Sequence, residues 1–296
     1  VGDHLEASQN ELALEMEFCS DTNGNLVDLS SLPSFWLDRS RQPHDDDDDA
    51  KRSDNQQTEV VVASESSSHT RRLCILIHGL TADESVWSFR DNHETKAADD
   101  DDYGSLLHRD FGILPFYLRY NTGLHVSTNG HKLNDIMSDL VSSLPNEMSI
   151  ELTFLCHSMG GLVARSALHY GMVEEAPWIC NVSRVMFLGT PHGGSPWEKI
   201  GNVISNTLGA VPRPYMKLAE KVVNLRSAGI KDLRYGFVLD EDWQPYEAEP
   251  DALLKNTKTR PRNADWIQYH VITGTVTNNP SHPISMAIGD GLVRKS

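Results

Sequence analysis

The 296-residue sequence is poor in cysteine and in basic side chains, and it has no long apolar run. Its four cysteines lie far apart, which predicts buried thiols and argues against a disulfide framework or a zinc site. Lys and Arg number 26 against 42 Asp and Glu, so the net charge is −16. This balance argues against nucleic-acid partners and against attraction to anionic membranes. Without an apolar span that could cross a bilayer, no stable membrane insertion is expected, and a cytoplasmic location is the default prediction.

Two aspartate runs account for much of the negative charge. They lie at Asp45–Asp49 and Asp99–Asp102. Runs of like charge are usually solvated and irregular, and we predict this for both. A calcium site is the alternative, but consecutive carboxylates lack the alternating ligand spacing of a calcium loop.

The composition of the chain changes near residue 70. Residues 1–70 are predicted to be a weakly structured extension, with a weak helical pattern from Leu5 to Phe18 and a polar, acidic linker over 41–70. Residues 71–296 are long enough for one domain with a proper core. A long insertion interrupts this domain at about 193–262. The C-terminal end of the domain is expected to be missing from the sequence.

Apolar and helix-forming runs alternate after residue 70. The predicted strands cover 72–78, 112–120, 150–156, 183–189 and 266–273, and the predicted helices cover 103–109, 130–143 and 159–171. This alternation predicts an α/β fold with a mostly parallel central sheet and helices on both faces. The active site of such a sheet lies at the carboxyl ends of its strands. The candidate residues at these ends are His78, Asn121, Ser158, Pro191 and Asp290.

A serine stands where a strand-like run changes directly into a helix-like run. This geometry exposes the Oγ of Ser158 and directs helix N–H groups at an anion formed there. The usual pattern is G-x-S-x-G, because the residues two before and two after the serine are expected to crowd each other. Here Cys156 replaces the first glycine, while Gly160 and Gly161 follow the serine. Ser158 is the predicted nucleophile, and an ordinary strand-to-helix turn is the alternative.

A second turn follows the predicted strand 72–78. His78, Gly79 and Leu80 end an apolar run, as expected of a buried parallel strand that leads into a turn. In serine hydrolases of this architecture such a turn gives the second oxyanion donor, so the amides of Leu80 and Met159 are the predicted pair. His78 itself is predicted to be a structural turn residue and not a general base.

Four motifs occur in order: H-G-L at 78–80, H-S-M-G-G-L-V-A-R at 157–165, L-G-T-P-H-G-G-S-P at 188–196 and G-D-G-L-V at 289–293. On these motifs the chain resembles the α/β-hydrolase superfamily, and within it the lipase-like group that includes GPI inositol-deacylase-like and bacterial triacylglycerol lipase-like proteins. The resemblance covers about residues 71–296. It implies an α/β-hydrolase fold with Ser158 as nucleophile and Asp290 as the carboxylate that orients the catalytic histidine.

The catalytic histidine is the open part of this assignment. In the superfamily it follows the acidic residue, but no histidine follows Asp290, so the base is expected beyond Ser296. His282 is the runner-up, although the order of the triad would then differ. His270 lies in an apolar run and is expected to be packed and hydrogen-bonded. Two further histidines are weaker candidates, one pointing away from Ser158 and one at the pocket entrance: His157 and His192.

The resemblance implies an esterase or lipase that cleaves carboxylic esters through an acyl-enzyme on Ser158. The expected partner is a small-molecule or lipid ester, with no metal or organic cofactor. An amidase, thioesterase or phospholipase would share the chemistry, and an inactive binding module of the same fold is the non-enzymatic alternative. Residues 193–262 would form a lid with an apolar inner face, or would only pack onto the core.

Overall fold

A computed structural model describes residues 14–31, 70–89, 102–145, 148–195, 227–248 and 258–273. The strands are β1 (Glu17–Cys19), β2 (Arg71–Ile77), β3 (Leu114–Arg119), β4 (Ile150–His157), β5 (Val182–Leu188) and β6 (Gln268–Ile272). The α-helices are α1 (Tyr103–Phe111), α2 (Val126–Ser142), α3 (Gly160–Val173), α4 (Ala228–Tyr235) and α5 (Asp240–Ala248). Short 3-10 helices lie at Leu29–Ser31, Glu84–Trp87 and Pro177–Asn181.

The six strands form one sheet in the order β1-β3-β2-β4-β5-β6. Strands β2 to β6 are parallel, and β1 pairs antiparallel with β3. The parallel arrangement follows from the chain, because helices α1, α2 and α3 connect successive strands and each returns the chain to the same end of the sheet. The carboxyl ends of the parallel strands therefore lie together along one edge.

Both faces of the sheet are covered. On one face, alternate side chains of β2, among them Ile75 and Ile77, pack with buried residues of α2 and α3. On the other face, Cys74 and Leu76 pack with Trp87, and Leu107 of α1 lies against the same cluster. Strands buried on both faces explain the continuous apolar runs of the sequence. This arrangement confirms the predicted α/β-hydrolase fold class.

The structure corrects the prediction for the N-terminal region. The weak helical pattern is wrong at its end, since residues 17–19 form a strand of the main sheet. Phe18 and Cys19 are 2% and 0% exposed. Apolar burial against β3 therefore decides the structure here and overrides a weak helical periodicity. The sheet begins well before residue 71.

Two smaller predictions are also corrected. Asp102, the last residue of the second aspartate run, is buried and caps α1, where its carboxylate accepts the Ser105 N–H at 2.8 Å and the Tyr117 hydroxyl hydrogen bond. It is not a solvated residue. Among the four cysteines, Cys180 is exposed while the other three are buried, and all four are free thiols.

The insertion after β5 holds helices α4 and α5 within its described part. A buried carboxylate on α4 ties this part to the start of α2: Asp232 accepts the Val126 N–H at 2.7 Å and contacts His125 Nδ1 at 3.0 Å. This remote cap also explains why α2 starts at Val126, before the predicted residue 130. The amphipathic stretch predicted to form the inner face of a lid, at about 215–225, lies outside the described residues.

Candidate active site

Ser158 occupies the turn between β4 and α3. Its φ angle is +52°, in the left-handed region that non-glycine residues seldom adopt. Two hydrogen bonds hold the turn: the Ser158 N–H donates to Leu188 O at 2.9 Å, and the Gly161 N–H donates to Ser158 O at 3.1 Å. The backbone conformation at Ser158 therefore depends on the neighbouring strand β5 as well as on its own helix. A strained residue that the surrounding structure holds in this way is a sign of a functional position.

The two glycines after the serine allow the turn to pack against its neighbours. A Cβ on Gly160 would lie 2.5 Å from the carbonyl oxygens of Ile77 and His78, and a Cβ on Gly161 would lie 2.1 Å from Thr190 Oγ1. Both separations are too short for real atoms, so only glycine fits without movement. Glycine at 160 is therefore required by the turn after β2.

Cys156 is not among the residues that limit position 160 most closely, because the three atoms nearest to a Cβ on Gly160 belong to Ile77 and His78. Cys156 is fully buried in the core that includes α2 and α3, and burial raises the pKa of its thiol well above the ordinary value. It is a packing residue of β4, and cysteine replaces glycine there without disturbing the turn.

The turn after β2 packs directly on the serine. A Cβ on Gly79 would lie 2.9 Å from Ser158 Cβ and 3.2 Å from His157 Nδ1. The side chains of Leu80 and Met159 are buried, at 5% and 0% exposed. Neither the Leu80 amide nor the Met159 amide donates a hydrogen bond to another described residue. Two backbone donors thus flank the Ser158 turn.

His78 is enclosed in this turn. It is 1% exposed, and its ring stacks on Tyr120 with centroids 4.4 Å apart. Tyr120 Oη donates to His78 O at 2.8 Å. Burial lowers the pKa of His78 to about 4, so the imidazole is neutral near pH 7. Because His78 is enclosed and its pKa lies well below the ordinary value, its surroundings are those of a structural residue.

The loop after β5 forms the third side of the site. Arg165 of α3 contacts His192 Nδ1 through Nη1 at 3.2 Å, and Lys258 Nζ donates to Gly193 O at 3.1 Å. Burial, and then the Arg165 charge, lower the pKa of His192 to about 4. The Ser195 N–H donates to Leu233 O of α4 at 3.0 Å. The loop is therefore fixed between α3 and the insertion, with His192 half-buried and neutral.

The remaining histidines lie in different settings. His157 is exposed at the end of β4. His270 is exposed on β6, so the prediction of a packed residue is wrong: among the described strands, β6 is at the edge of the sheet and pairs with β5. Sequence reasoning missed the contacts of His125 with Asp232 and of His131 with Asp240, at 3.0 and 3.1 Å. Their members lie 107 and 109 residues apart, and no local pattern could pair them.

Asp290 and His282 lie outside the described residues. Of the predicted site residues that are described, the structure brings together Ser158, Met159, His78 and Leu80. It adds Tyr120, which sequence reasoning overlooked as the last residue of a predicted strand. Among the described residues, no group of three or more His, Cys, Asp or Glu side chains could hold a metal ion. In the same part of the chain, no helix combines the length and apolar character needed to cross a membrane.

Comparison with known families gives a clear match. The family model described as "Domain of unknown function (DUF7379)" matches residues 42–224, well over half of the chain. The chain belongs to this family. The DUF7379 match includes the Ser158 turn, the turn after β2 and the loop after β5, so all three lie within the matched range. No curated protein matches the sequence.

Solved structures that match the chain include a lipase and a carboxyl esterase. A lipase from Bacillus licheniformis in its mature form is 16% identical, with a TM-score of 0.41, and the match covers 70% of this chain and 66% of that one. A metagenomic carboxyl esterase is also 16% identical, with a TM-score of 0.42, and the match covers 77% of this chain and 60% of that one. The chain thus spans less than two thirds of the length of either structure. At this identity, what these proteins act on is not transferred to the chain.

Proposed function

We propose that the protein is a serine hydrolase that cleaves carboxylic esters through an acyl-enzyme on Ser158. The observation that carries the proposal is the left-handed backbone of Ser158, at φ +52° between a buried strand and the start of a helix. This conformation carries the serine side chain away from the strand at the turn, as a nucleophile requires, and the residue is 4% exposed where the sequence predicted an exposed Oγ. Strained backbone positions that the surrounding structure holds in place cluster at active sites, which supports the proposal.

In the proposed first step, Ser158 Oγ attacks the ester carbonyl carbon while a histidine accepts the hydroxyl proton. The carbon–oxygen bond to the alcohol then breaks, and the histidine returns the proton to the leaving alcohol. Water attacks the acyl-enzyme in the same way and releases the acid. The amides of Leu80 and Met159 are proposed to stabilise the oxyanion, since they flank the serine and donate to no described residue.

The base and its orienting carboxylate are proposed from the motifs. Asp290 is the proposed carboxylate, and the base is a histidine outside the described residues, with His282 as the candidate within the printed sequence. His78 and His192 fit this role poorly. Both are buried or half-buried, and burial lowers the pKa of each to about 4. A base near neutral pH needs a pKa closer to 7.

The test is labelling of the full-length protein with a fluorophosphonate, together with hydrolysis of p-nitrophenyl acetate and butyrate. Ser158→Ala should abolish both. Ser166→Ala is a matched control, because Ser166 is a buried serine on α3, the helix that follows the Ser158 turn, and its hydroxyl has no described hydrogen-bond partner. Substantial turnover by Ser158→Ala would rule out the proposal, as would absence of labelling in the unaltered protein. If the protein hydrolysed an anilide or a thioester with a higher kcat/KM than the esters, that compound class would replace carboxylic esters as the proposed substrate.

A further inference from the structure

The direction of the Leu80 N–H is set by the peptide unit to which it belongs. That unit joins Gly79 to Leu80, so the Gly79 carbonyl and the Leu80 N–H lie in one plane. In a trans peptide they point in opposite directions. Whatever fixes the Gly79 carbonyl therefore also fixes the proposed oxyanion donor.

Two donors hold the Gly79 carbonyl. His78 Nδ1 lies 3.0 Å from Gly79 O, and the Ala82 N–H donates to the same oxygen at 3.3 Å. Because a carbonyl oxygen can only accept, the His78 ring carries its proton on Nδ1 in this contact. The depressed pKa of His78 agrees with this single neutral tautomer. The histidine side chain thus folds over its own turn and anchors the peptide that follows it.

Tyr120 in turn holds His78. The two rings are stacked at 4.4 Å with an interplanar angle of 23°, and Tyr120 Oη donates to His78 O at 2.8 Å. One side chain therefore fixes both the ring and the backbone of His78. The other ring nitrogen of His78, Nε2, is buried without a partner among the described residues, so it adds no further restraint. Tyr120 is 1% exposed and follows β3, the strand next to β2.

We propose that Tyr120 is a positioning residue for this site, which acts through His78 to aim the Leu80 amide at the oxyanion formed on Ser158. The inference rests on the proposed function and extends it to a residue that never meets the substrate. The turn that Tyr120 fixes is the one whose Gly79 packs against Ser158 Cβ. A change in the orientation of this turn therefore affects the reaction more than it affects substrate binding.

The test compares Tyr120→Phe with Tyr170→Phe in the full-length protein. Phenylalanine keeps the ring of Tyr120 and removes only the hydrogen bond to His78 O. Tyr170 is a close match, since it stacks on His131 at 3.5 Å and its hydroxyl accepts the Asp240 N–H at 3.0 Å. It lies ten residues beyond the start of α3, about 15 Å along the helix from the Ser158 turn.

Tyr120→Phe should lower kcat and the rate of fluorophosphonate labelling at Ser158 by about ten-fold or more, with KM within about two-fold of the original value. Tyr170→Phe should leave all three unchanged. Tyr120→Leu, which also removes the stacking, should lower kcat further, and circular dichroism and thermal unfolding would establish that each variant is folded.

The outcomes separate the two proposals. Normal labelling of Ser158 in a folded Tyr120→Phe variant would overturn the positioning role and leave the hydrolase proposal intact. An equal loss in Tyr170→Phe would also overturn it, because the effect would then be general packing. Absence of labelling in the unaltered protein would overturn both proposals together. A fall in kcat confined to the Tyr120 variants supports the inference.

Discussion

Replacement of Gly160 by alanine is expected to destabilise the protein and to slow the reaction of Ser158. The new Cβ would lie 2.5 Å from both Ile77 O and His78 O, and 2.8 Å from Ile77 Cγ2. Real Cβ atoms essentially never approach other heavy atoms closer than 3.0 Å. The start of α3 must therefore move away from the end of β2 by about 0.5 Å or more. Two of the three obstacles are backbone atoms, which cannot rotate aside.

The size of the effect follows from two opposing contributions. Overpacking costs about 1–3 kcal/mol, and about 2–3 kcal/mol is expected here because two of the obstacles are backbone atoms. The better helix propensity of alanine offsets about 1 kcal/mol of that at most. The free energy of unfolding should thus fall by about 1–2 kcal/mol, and the melting temperature by about 2–4 °C for each kcal/mol in a domain of this size. Because the displaced residue is two positions from Ser158, the labelling rate should fall about ten-fold.

Thermal unfolding and the rate of fluorophosphonate labelling would measure the two effects. Gly193→Ala is the matched control, since it lies in the loop after β5 and its Cβ would meet nothing within 4 Å. That variant should unfold like the unaltered protein. If Gly160→Ala did the same, the close approach of α3 to the turn after β2 would be refuted, and with it the packing argument for the Ser158 turn.

Three further changes test other parts of the structure. Ser158→Gly should be about 1 kcal/mol more stable than Ser158→Ala, since both lose the hydroxyl but only glycine adopts the left-handed conformation without strain. Thermal unfolding would measure the difference, and equal stabilities would contradict the positive φ. Because burial lowers the pKa of His78 from 6.5 to about 4, the unfolded chain takes up a proton at His78 before the folded one does as the pH falls. Between pH 7 and pH 5, the free energy of unfolding of His78→Asn should therefore fall by about 2 kcal/mol less than that of the unaltered protein. Urea unfolding at the two pH values would measure both changes, and an identical fall would refute this. Asp232→Ala should lower the free energy of unfolding by about 2–4 kcal/mol, because it leaves the Val126 N–H unpaired. The control Asp110→Ala, at an exposed carboxylate, should change it by less than about 0.5 kcal/mol. Similar urea midpoints for the two variants would contradict the capping of α2 by Asp232.

Strands β2 and β3 could be predicted because burial on both faces leaves a continuous apolar run in the sequence. The predicted strand 150–156 and the observed β4 differ by a single residue at one end. The Ser158 turn was equally visible, since a strand-like run, a serine and a helix-like run follow one another without a gap. The sequence thus predicts the features that a short segment encodes by itself.

The features that escaped prediction depend on contacts between distant segments. Strand β1 has only three residues, and its pairing with β3 across about a hundred positions gives it its structure. The start of α2 depends on Asp232, 106 residues later. The role assigned to Tyr120 arises from a stack with a residue 42 positions earlier. Such pairings leave no periodicity, so only the assembled fold reveals them.

The order of strands in the sheet has a practical consequence for recombinant work. The family match spans residues 42–224, but the two outer strands of the described part of the sheet lie beyond its limits, at Glu17–Cys19 and Gln268–Ile272. A protein trimmed to those limits would leave β3 and β5 as bare edges with unpaired N–H and C=O groups. Bare edges of this kind invite pairing between molecules and precipitation. Expression should therefore retain at least residues 14–273, even when the family domain alone is the object of interest.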